Sequence, residues 1–142
     1  MNESEKAEGI RNWRFRWLEM LFEFSHLEYQ KALWIDHKYE NAVGWYSEDM
    51  CKYFDDLYLD DDYDYHLQRE YISHEEFNTI KEFHFELKNY NEEEKSDLEI
   101  LNDSSWLSII NLGKSSWEKL KNLIKDEQEL LHMKGLEENY LK

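Results

Sequence analysis

The sequence contains no proline and only four glycines in 142 residues. Because proline breaks helices and glycine weakens them, helices can run here with few interruptions. No apolar run approaches the roughly 18 residues that would cross a bilayer, and the polar, acidic stretch MNESEKAEG at the start does not resemble a secretory signal. The single cysteine, Cys51, excludes an internal disulfide framework. These absences predict a cytoplasmic protein that does not enter a membrane.

Basic side chains are scarce in the middle of the chain. Residues 36–103 hold 21 acidic and six basic side chains, so they carry −15 of the net charge of −16. The flanking segments 1–35 and 104–142 have net charges of −1 and 0. Direct binding to nucleic acid requires a basic footprint. The nearest candidate, RNWRFR at 11–16, has its Trp and Phe at positions expected in a helical core, so direct nucleic-acid binding is disfavoured.

Aromatic residues, in contrast, make up 16% of the chain, and disordered chains lack such residues. Apolar side chains recur at three- and four-residue spacing near both ends, which is typical of buried helical stripes: Ile10, Trp13, Trp17, Leu21 and Phe24, then Trp106, Ile109, Ile110, Gly113, Trp117, Leu120, Ile124 and Leu131. No strand pattern of useful length is present. The sequence predicts one all-α domain, residues 1–142, of about five helices with a long C-terminal helix that runs to about residue 133.

Short polar motifs predict where helices begin. Ser25 with Glu28, and Ser73 with Glu76, have the spacing of a capping box. Ser47, followed by two acidic residues, indicates another start. The long last helix is expected to start after a cap at Ser104 or Ser105, and Gly113 is a point where a neighbouring helix can approach closely. The tryptophans expected in the core are Trp13, Trp17, Trp34, Trp106 and Trp117, with Trp45 partly exposed.

The helix after Ser47 leads directly into the most acidic part of the chain. One face of this helix is predicted to point inward, with Met50, Cys51, Phe54 and Leu57, so that Cys51 is an inert buried thiol. The stretch YFDDLYLDDDYDYHL, residues 53–67, then holds six aspartates and four tyrosines and no lysine or arginine. Such a stretch has three interpretations: a metal loop, a catalytic carboxylate cluster or a surface for a basic partner.

The metal and catalytic interpretations each lack a specifying residue. Asp60, Asp62 and Asp64 match positions 1, 3 and 5 of an EF-hand loop, but Tyr65 stands where glycine is needed and Tyr71 where glutamate is needed. Asp55 and Asp56 are adjacent, so on a helix their side chains point about 100° apart and do not readily share a proton. The chain has no HExxH, no GxSxG and no glycine-rich phosphate loop. We therefore predict no metal, no cofactor and no enzymatic activity.

The interface interpretation fits the mixture of acids and tyrosines. Self-repulsion of this size costs stability, and proteins that keep it gain solubility, steering or partner selection. Tyrosine provides contact area and a hydroxyl group at low entropic cost. The predicted partner-binding residues are Asp55, Asp56, Tyr58, Asp60, Asp61, Asp62, Tyr63, Asp64 and Tyr65. The expected partner is a protein with a basic surface.

Four stretches of the chain carry a resemblance to a known family. They are LEMLFEFSHLEYQKALWI, EDMCKYFDDLYLDDDYD, YISHEEFNTIKEFHFELKNY and the Trp-led terminal helix, and together they span roughly residues 17–124. This order is similar to that of small acidic bacterial immunity proteins of contact-dependent and other polymorphic toxin systems. The resemblance implies tight stoichiometric binding to a cognate toxin domain, commonly a nuclease with a basic cleft.

An alternative function remains open at this point. A nucleic-acid mimic, such as an anti-restriction or anti-nuclease protein of a mobile element, would use the same carboxylates to imitate phosphate spacing. A mimic usually spreads its acidic residues along an elongated surface, whereas here they are concentrated in the middle of the chain and mixed with aromatic rings. That distribution favours a specific protein partner. A plain structural or adaptor domain is a third class.

Overall fold

The computed structural model describes residues 2–42 and 44–141, and within these ranges it has helices and no strand. The helices are α1 (Glu3–Ser25), α2 (Leu27–Trp34), α3 (Tyr46–Cys51), α4 (Asp64–Gln68), α5 (His74–Lys88), α6 (Asp97–Leu101), α7 (Ser104–Leu123) and α8 (Glu127–Tyr140). A π-helical turn, Lys52–Asp56, continues α3. The all-α class is confirmed, but the described residues form eight helices instead of about five. Two of the additional helices, α4 and α6, have five residues each, which is too few to show a 3.6-residue period in a sequence. The third arises because the predicted long C-terminal helix is divided into α7 and α8. None of the described helices has the length and apolar character to cross a bilayer.

Helix α7 lies against both α1 and α5, and α8 packs on α1. Gly113 allows the closest approach. A Cβ atom at this position would lie 3.0 Å from the Phe83 ring of α5 and 3.2 Å from the carbonyl oxygen of Phe24 in α1. The expectation that a neighbouring helix comes close at Gly113 is therefore confirmed for two helices at once.

The core is rich in aromatic rings, as the sequence predicted. Four of the five tryptophans predicted to be buried are at most 3% exposed: Trp17, Trp34, Trp106 and Trp117. Trp13 is only half-buried, because it lies beside the acidic residues 57–71 and its Nε1–H donates to the carbonyl oxygen of Leu57 at 3.0 Å. Trp45 is 45% exposed, which confirms its predicted partial exposure.

The long C-terminal helix was predicted wrongly. Helix α7 ends at Leu123, and α8 begins at Glu127 after an extended connection. The side chain of Asp126 caps α8 by accepting a hydrogen bond from the Glu129 N–H at 3.0 Å. The apolar spacing that suggested one helix ran on to Leu131, but Leu131 is 67% exposed and belongs to no core stripe. The break turns the chain so that α8 can pack on α1.

The predicted helix starts were right in one case and displaced in others. Ser73 and Glu76 form the capping box of α5. Ser25 caps nothing, because it is the last residue of α1 and its hydroxyl donates to the Phe22 carbonyl oxygen at 3.0 Å. The start assigned to Ser47 falls one residue late, since α3 begins at Tyr46. The cap of α7 is an aspartate, Asp103, rather than Ser104 or Ser105.

Arg14 of α1 binds two carboxylates and one carbonyl oxygen from three other parts of the chain. Its guanidinium makes paired hydrogen bonds of 2.6 and 3.0 Å with Glu76 of α5 and two of 2.8 Å with Glu129 of α8. A fifth N–H donates to the Tyr71 carbonyl oxygen at 2.8 Å. All five donors of the guanidinium are therefore used. Burial alone would raise the pKa of Glu76, but the hydrogen bonds from Arg14 hold that pKa below its ordinary value.

We expect Arg14→Met to lower the free energy of unfolding by about 3 kcal/mol, because the change leaves two buried carboxylates unpaired. Urea denaturation measures the effect. The matched control is Arg11→Met, one turn earlier in α1. The Arg11 side chain is 46% exposed and pairs with Asp126 at 3.4 Å, so its loss should cost less than about 0.5 kcal/mol. Equal losses for the two variants would contradict the role given to Arg14.

Candidate partner-binding surface

We call residues 57–71 the acidic segment. It consists of tight turns on either side of α4. Tyr58, Asp62 and Tyr63 have positive φ angles of 57°, 59° and 72°, a region that bulky residues seldom adopt. Leu57 and Leu59 are buried on either side of Tyr58 at 2% and 0% exposure, while the Tyr58 ring is 55% exposed. The turns therefore fix two leucines in the core and project a tyrosine between them into solvent.

Helix α1 holds this segment at its start, middle and end. Trp13 donates to the Leu57 carbonyl oxygen at 3.0 Å, Trp17 to the Tyr63 hydroxyl at 2.8 Å, and Arg14 to the Tyr71 carbonyl oxygen at 2.8 Å. The apolar spacing of the two tryptophans predicted their place in the core. It did not show that their indole N–H groups would bind the acidic segment.

Eight of the nine predicted partner-binding residues reach the surface. The exposed ones are Asp55, Asp56, Tyr58, Asp60 and Asp64, and the half-buried ones are Asp61, Asp62 and Tyr65. We call these eight residues the acidic surface. Tyr63 is 0% exposed, so it supports this surface from the core and is not part of it.

The predicted inward face of the preceding helix is only partly correct. Leu57 is buried, and Met50 and Phe54 are half-buried against the core. Cys51 is exposed, so the prediction of a buried thiol was wrong. The inward face is instead formed by Tyr46, Asp49 and Tyr53. These residues are at most 4% exposed and are spaced three and four residues apart. A buried aspartate on that face was not anticipated.

A chain of hydrogen bonds connects the core to the acidic surface. It runs from Trp17 Nε1 to the Tyr63 hydroxyl at 2.8 Å, from there to the Tyr53 hydroxyl at 2.6 Å, and on to His84 Nδ1 at 2.9 Å. His84 Nε2 lies 3.0 Å from Asp62 Oδ1. Only Asp62 is solvent-accessible, because the other four are fully buried. The position of this aspartate is therefore set from inside the protein.

The direction of each hydrogen bond in this chain follows from its ends. Ionised Asp62 can only accept, so His84 Nε2 donates to it, and Nδ1 of a neutral imidazole accepts from Tyr53. Tyr53 then accepts from Tyr63, which accepts from Trp17. A protonated His84 would leave the Tyr63 hydroxyl hydrogen without an acceptor. Burial lowers the pKa of His84 despite its bond to Asp62, which agrees with the neutral form.

An aromatic layer lies beneath the acidic surface. His66 is 2% exposed and stacks on Trp13 with ring centroids 4.2 Å apart. The rings of Tyr65 and Tyr71 meet the imidazole at 5.1 Å, and Tyr58 meets it at 6.3 Å. Burial lowers the pKa of His66 to about 4. The imidazole is therefore neutral at pH 7 and does not compensate the carboxylates above it.

Two basic side chains contact the acidic surface. Lys88 Nζ donates to the Asp60 carbonyl oxygen and to Asp62 Oδ1, both at 2.9 Å. The guanidinium of Arg69 lies 3.8 Å from the centre of the Tyr65 ring. No salt bridge between described residues involves the four most exposed aspartates, Asp55, Asp56, Asp60 and Asp64. These four carboxylates carry most of the surface's uncompensated charge.

Two of the three aspartates that match EF-hand positions have different hydrogen-bond partners. Asp62 binds His84 and Lys88, and Asp64 Oδ2 accepts from Gln68 at 2.9 Å. Within residues 2–42 and 44–141, no group of three or more His, Cys, Asp or Glu side chains has the geometry to hold a metal ion.

Sequence reasoning missed a pair of carboxyl groups inside the protein. Glu23 of α1 is 6% exposed and Asp49 of α3 is 0% exposed. The helical spacing of Tyr46, Asp49 and Tyr53 could have placed Asp49 on an inward face. Nothing in the local pattern links it to Glu23, which is 26 residues earlier.

Comparisons of this chain with protein-family models, with curated proteins and with solved structures give no match. What the acidic surface does must therefore be inferred from its own side chains, charges and hydrogen bonds.

Tyr63→Phe should lower the free energy of unfolding by about 2 kcal/mol, since it leaves the buried Trp17 N–H without an acceptor and removes the donor to the Tyr53 hydroxyl. Tyr58→Phe, the same change on a ring that is 55% exposed, should stay within about 0.5 kcal/mol. Chemical denaturation of the two variants checks both values. A neutral Tyr63→Phe variant would show that the buried chain contributes nothing to stability.

Proposed function

We propose that this protein is an immunity protein that binds a cognate toxin domain stoichiometrically and neutralises it in the cytoplasm, without catalysis. The observation that carries the proposal is the acidic surface itself, which combines four exposed aspartates that form no salt bridge to described residues with a tyrosine that is 55% exposed. Its partner would be a protein with a basic surface, such as a nuclease with a basic cleft. No direct contact with nucleic acid or membrane is part of the proposal.

The rigidity of the surface supports this role. The Tyr58 backbone is held between two buried leucines, and hydrogen bonds from Trp13 and Lys88 bind the carbonyl oxygens of Leu57 and Asp60. A side chain whose backbone is already fixed loses less conformational entropy when a partner buries it. Tyr58 therefore has the exposure and pre-organisation of an interface residue whose loss is costly.

The charge of the surface supports fast recognition. With a net charge of −16, the protein attracts a basic partner over a distance of about a Debye length, roughly 8 Å at physiological salt. Exposed carboxylates at the edge of an interface then raise the association rate, while a buried central side chain controls dissociation. An inhibitor of a lethal enzyme benefits from both.

The nucleic-acid mimic remains the second candidate. It predicts contacts spread along an elongated acidic face, whereas the exposed aspartates of this surface lie within the ten residues 55–64, together with the exposed Tyr58 ring. That grouping favours a partner that recognises one site.

The test replaces the four exposed carboxylates of the acidic surface. Asp55, Asp56, Asp60 and Asp64 are changed together to Asn. Asp61 is kept because its carboxylate accepts from a backbone N–H at 2.9 Å, and Asp62 because of the buried chain. We expect an intact fold by circular dichroism and at least tenfold weaker binding to the toxin domain of the neighbouring reading frame, about 1.4 kcal/mol. Calorimetry at two salt concentrations measures the change.

A control variant with the same change in charge makes this test specific. Glu82, Glu86, Glu93 and Glu94 are exposed, and changing all four to Gln should alter the affinity by less than about threefold. The reverse result would place the interface on the acidic 86–99 segment. An unchanged affinity for both variants, without salt dependence, would leave the acidic surface as a solvated loop.

A further inference from the structure

A pocket of about 440 Å³ opens between α1, α2, α8 and the π-helical turn, and none of the eight residues of the acidic surface lines it. Its volume is within the usual range of small-molecule sites. Its lining is mixed. The apolar and aromatic lining residues are Met20, Phe22, Tyr29, Leu33, Ala42, Leu57, Leu136 and Tyr140. Its polar lining residues are Arg16, Glu19, Glu23, Asn41 and Lys52.

The carboxyl group of Glu23 lines this pocket and meets a second carboxyl group behind it. Glu23 is 94% buried, and its carboxyl group lies close to that of Asp49. A Cβ atom at Gly44 would lie 2.9 Å from Asp49 Oδ1 and 3.2 Å from Glu23 Oε1, so glycine lets the chain pass directly over both groups. Asp49 Oδ2 accepts from Trp34 Nε1 at 2.6 Å. Asp49 Oδ1 receives no N–H or O–H donor from the described residues.

Two buried carboxyl groups in contact do not both ionise. Burial, followed by the neighbouring charge of Asp49, raises the pKa of Glu23 well above its ordinary value, and burial raises the pKa of Asp49 to about 6. A protonated Glu23 that donates to Asp49 Oδ1 satisfies the orphaned oxygen. The other charged or titratable groups that face the pair are Glu19, Arg16, Tyr29, Glu48 and Lys52.

The folded pair binds a proton that the unfolded chain releases above about pH 4.5, so its contribution to stability falls as pH rises through the raised pKa values.

Aromatic rings stand beside this carboxyl pair. The centroids of Tyr29 and Tyr140 are 4.9 Å apart, those of Phe22 and Tyr29 5.2 Å, and those of Phe22 and Tyr140 6.3 Å. The Tyr29 hydroxyl is close enough to Glu23 for the carboxylate to raise its pKa further, in addition to burial. Organic ammonium ions bind to the faces of aromatic rings, and a desolvated carboxylate beside the rings provides the opposite charge.

We propose that this pocket binds a primary alkylammonium ion, whose –NH₃⁺ group takes the place of the proton shared by Glu23 and Asp49. The ammonium would donate to the ionised Glu23 carboxylate, and the alkyl chain would lie against Leu33, Leu57 and Leu136. The bound cation would compensate the charge of the ionised Glu23, and it would also contact the aromatic rings and the apolar lining residues. The site is independent of the acidic surface and of the function proposed for it.

Binding by this route must release a proton. An alkylammonium ion has a pKa near that of lysine, about 10.4, and stays charged between pH 6 and 8. The carboxyl group must lose its proton to accept the cation, so the affinity should rise by up to about tenfold per pH unit below the pKa of Glu23. A cation held only by ionised surface carboxylates would show no such dependence.

The experiment is calorimetric titration of the whole chain with n-pentylamine at pH 6, 7 and 8, in two buffers with different ionisation enthalpies. We expect saturable binding with a Kd below about 1 mM at pH 8, weaker binding at pH 6, and proton release that is largest at pH 6, where it approaches one proton per bound amine. The uncharged control, 1-pentanol, should bind at least tenfold more weakly. Absence of saturation at pH 8, binding without proton release, or equal affinity for amine and alcohol would each overturn the proposal.

A matched pair of variants locates the site. Glu23→Gln keeps the shape and can donate to Asp49 Oδ1, but it has no proton to lose, so amine binding should fall at least tenfold and lose its pH dependence. Glu19→Gln makes the same change in charge on a pocket residue whose side chain is 49% exposed, and should change the affinity by less than about threefold. Unchanged binding by Glu23→Gln would overturn the assignment. If that variant fails to fold, the proton count of the unaltered protein still decides the question.

Discussion

The hydrogen bonds from α1 to the acidic segment are the constraint on which the proposed surface depends. Trp13, Arg14 and Trp17 lie within five residues of one helix, yet they bind the start, end and middle of a segment that runs from Leu57 to Tyr71. Outside α4 the segment consists of turns, and it adopts positive φ angles at four positions. Its shape is therefore imposed by a helix that also forms the core, and a change in α1 would alter the surface without touching it.

The periodicity of the sequence was sufficient for the fold class and for much of the core, because long amphipathic helices repeat their pattern over many turns. It failed where a structure is short or depends on a distant partner. Helix α6 has five residues, and the break after Leu123 is made by a capping aspartate inside a continuous apolar pattern. Tyr63 has the same local surroundings as Tyr65, but only Tyr63 meets Trp17 and Tyr53 in the folded chain. Such pairings are decided by tertiary contacts, which no local pattern encodes.

Acidic residues in this protein have two opposite roles. On the acidic surface, exposed carboxylates contribute charge. In the core, Glu23 and Asp49 retain a proton, because burial makes a second negative charge too costly. Arg14 represents a third case, in which one guanidinium binds two buried glutamates and its hydrogen bonds hold the pKa of Glu76 below its ordinary value. The count of acids in the sequence therefore overstates the charge that a partner meets.

The distance along the chain between Arg14 and its two carboxylates has a consequence for biosynthesis. Glu76 follows Arg14 by 62 residues and Glu129 follows it by 115. At a translation rate of about 5–20 residues per second, the ribosome adds Glu129 roughly 6–23 s after Arg14. During that interval α1 has emerged without the helix that covers it, and its apolar face is open to chaperones or to non-native contacts. The hydrogen bonds between Arg14 and Glu129 can form only after translation has passed Glu129. A ribosome that stalls between α7 and α8 would therefore hold a chain in which the acidic segment has been synthesised but Arg14 of α1 has only one of its two carboxylate partners.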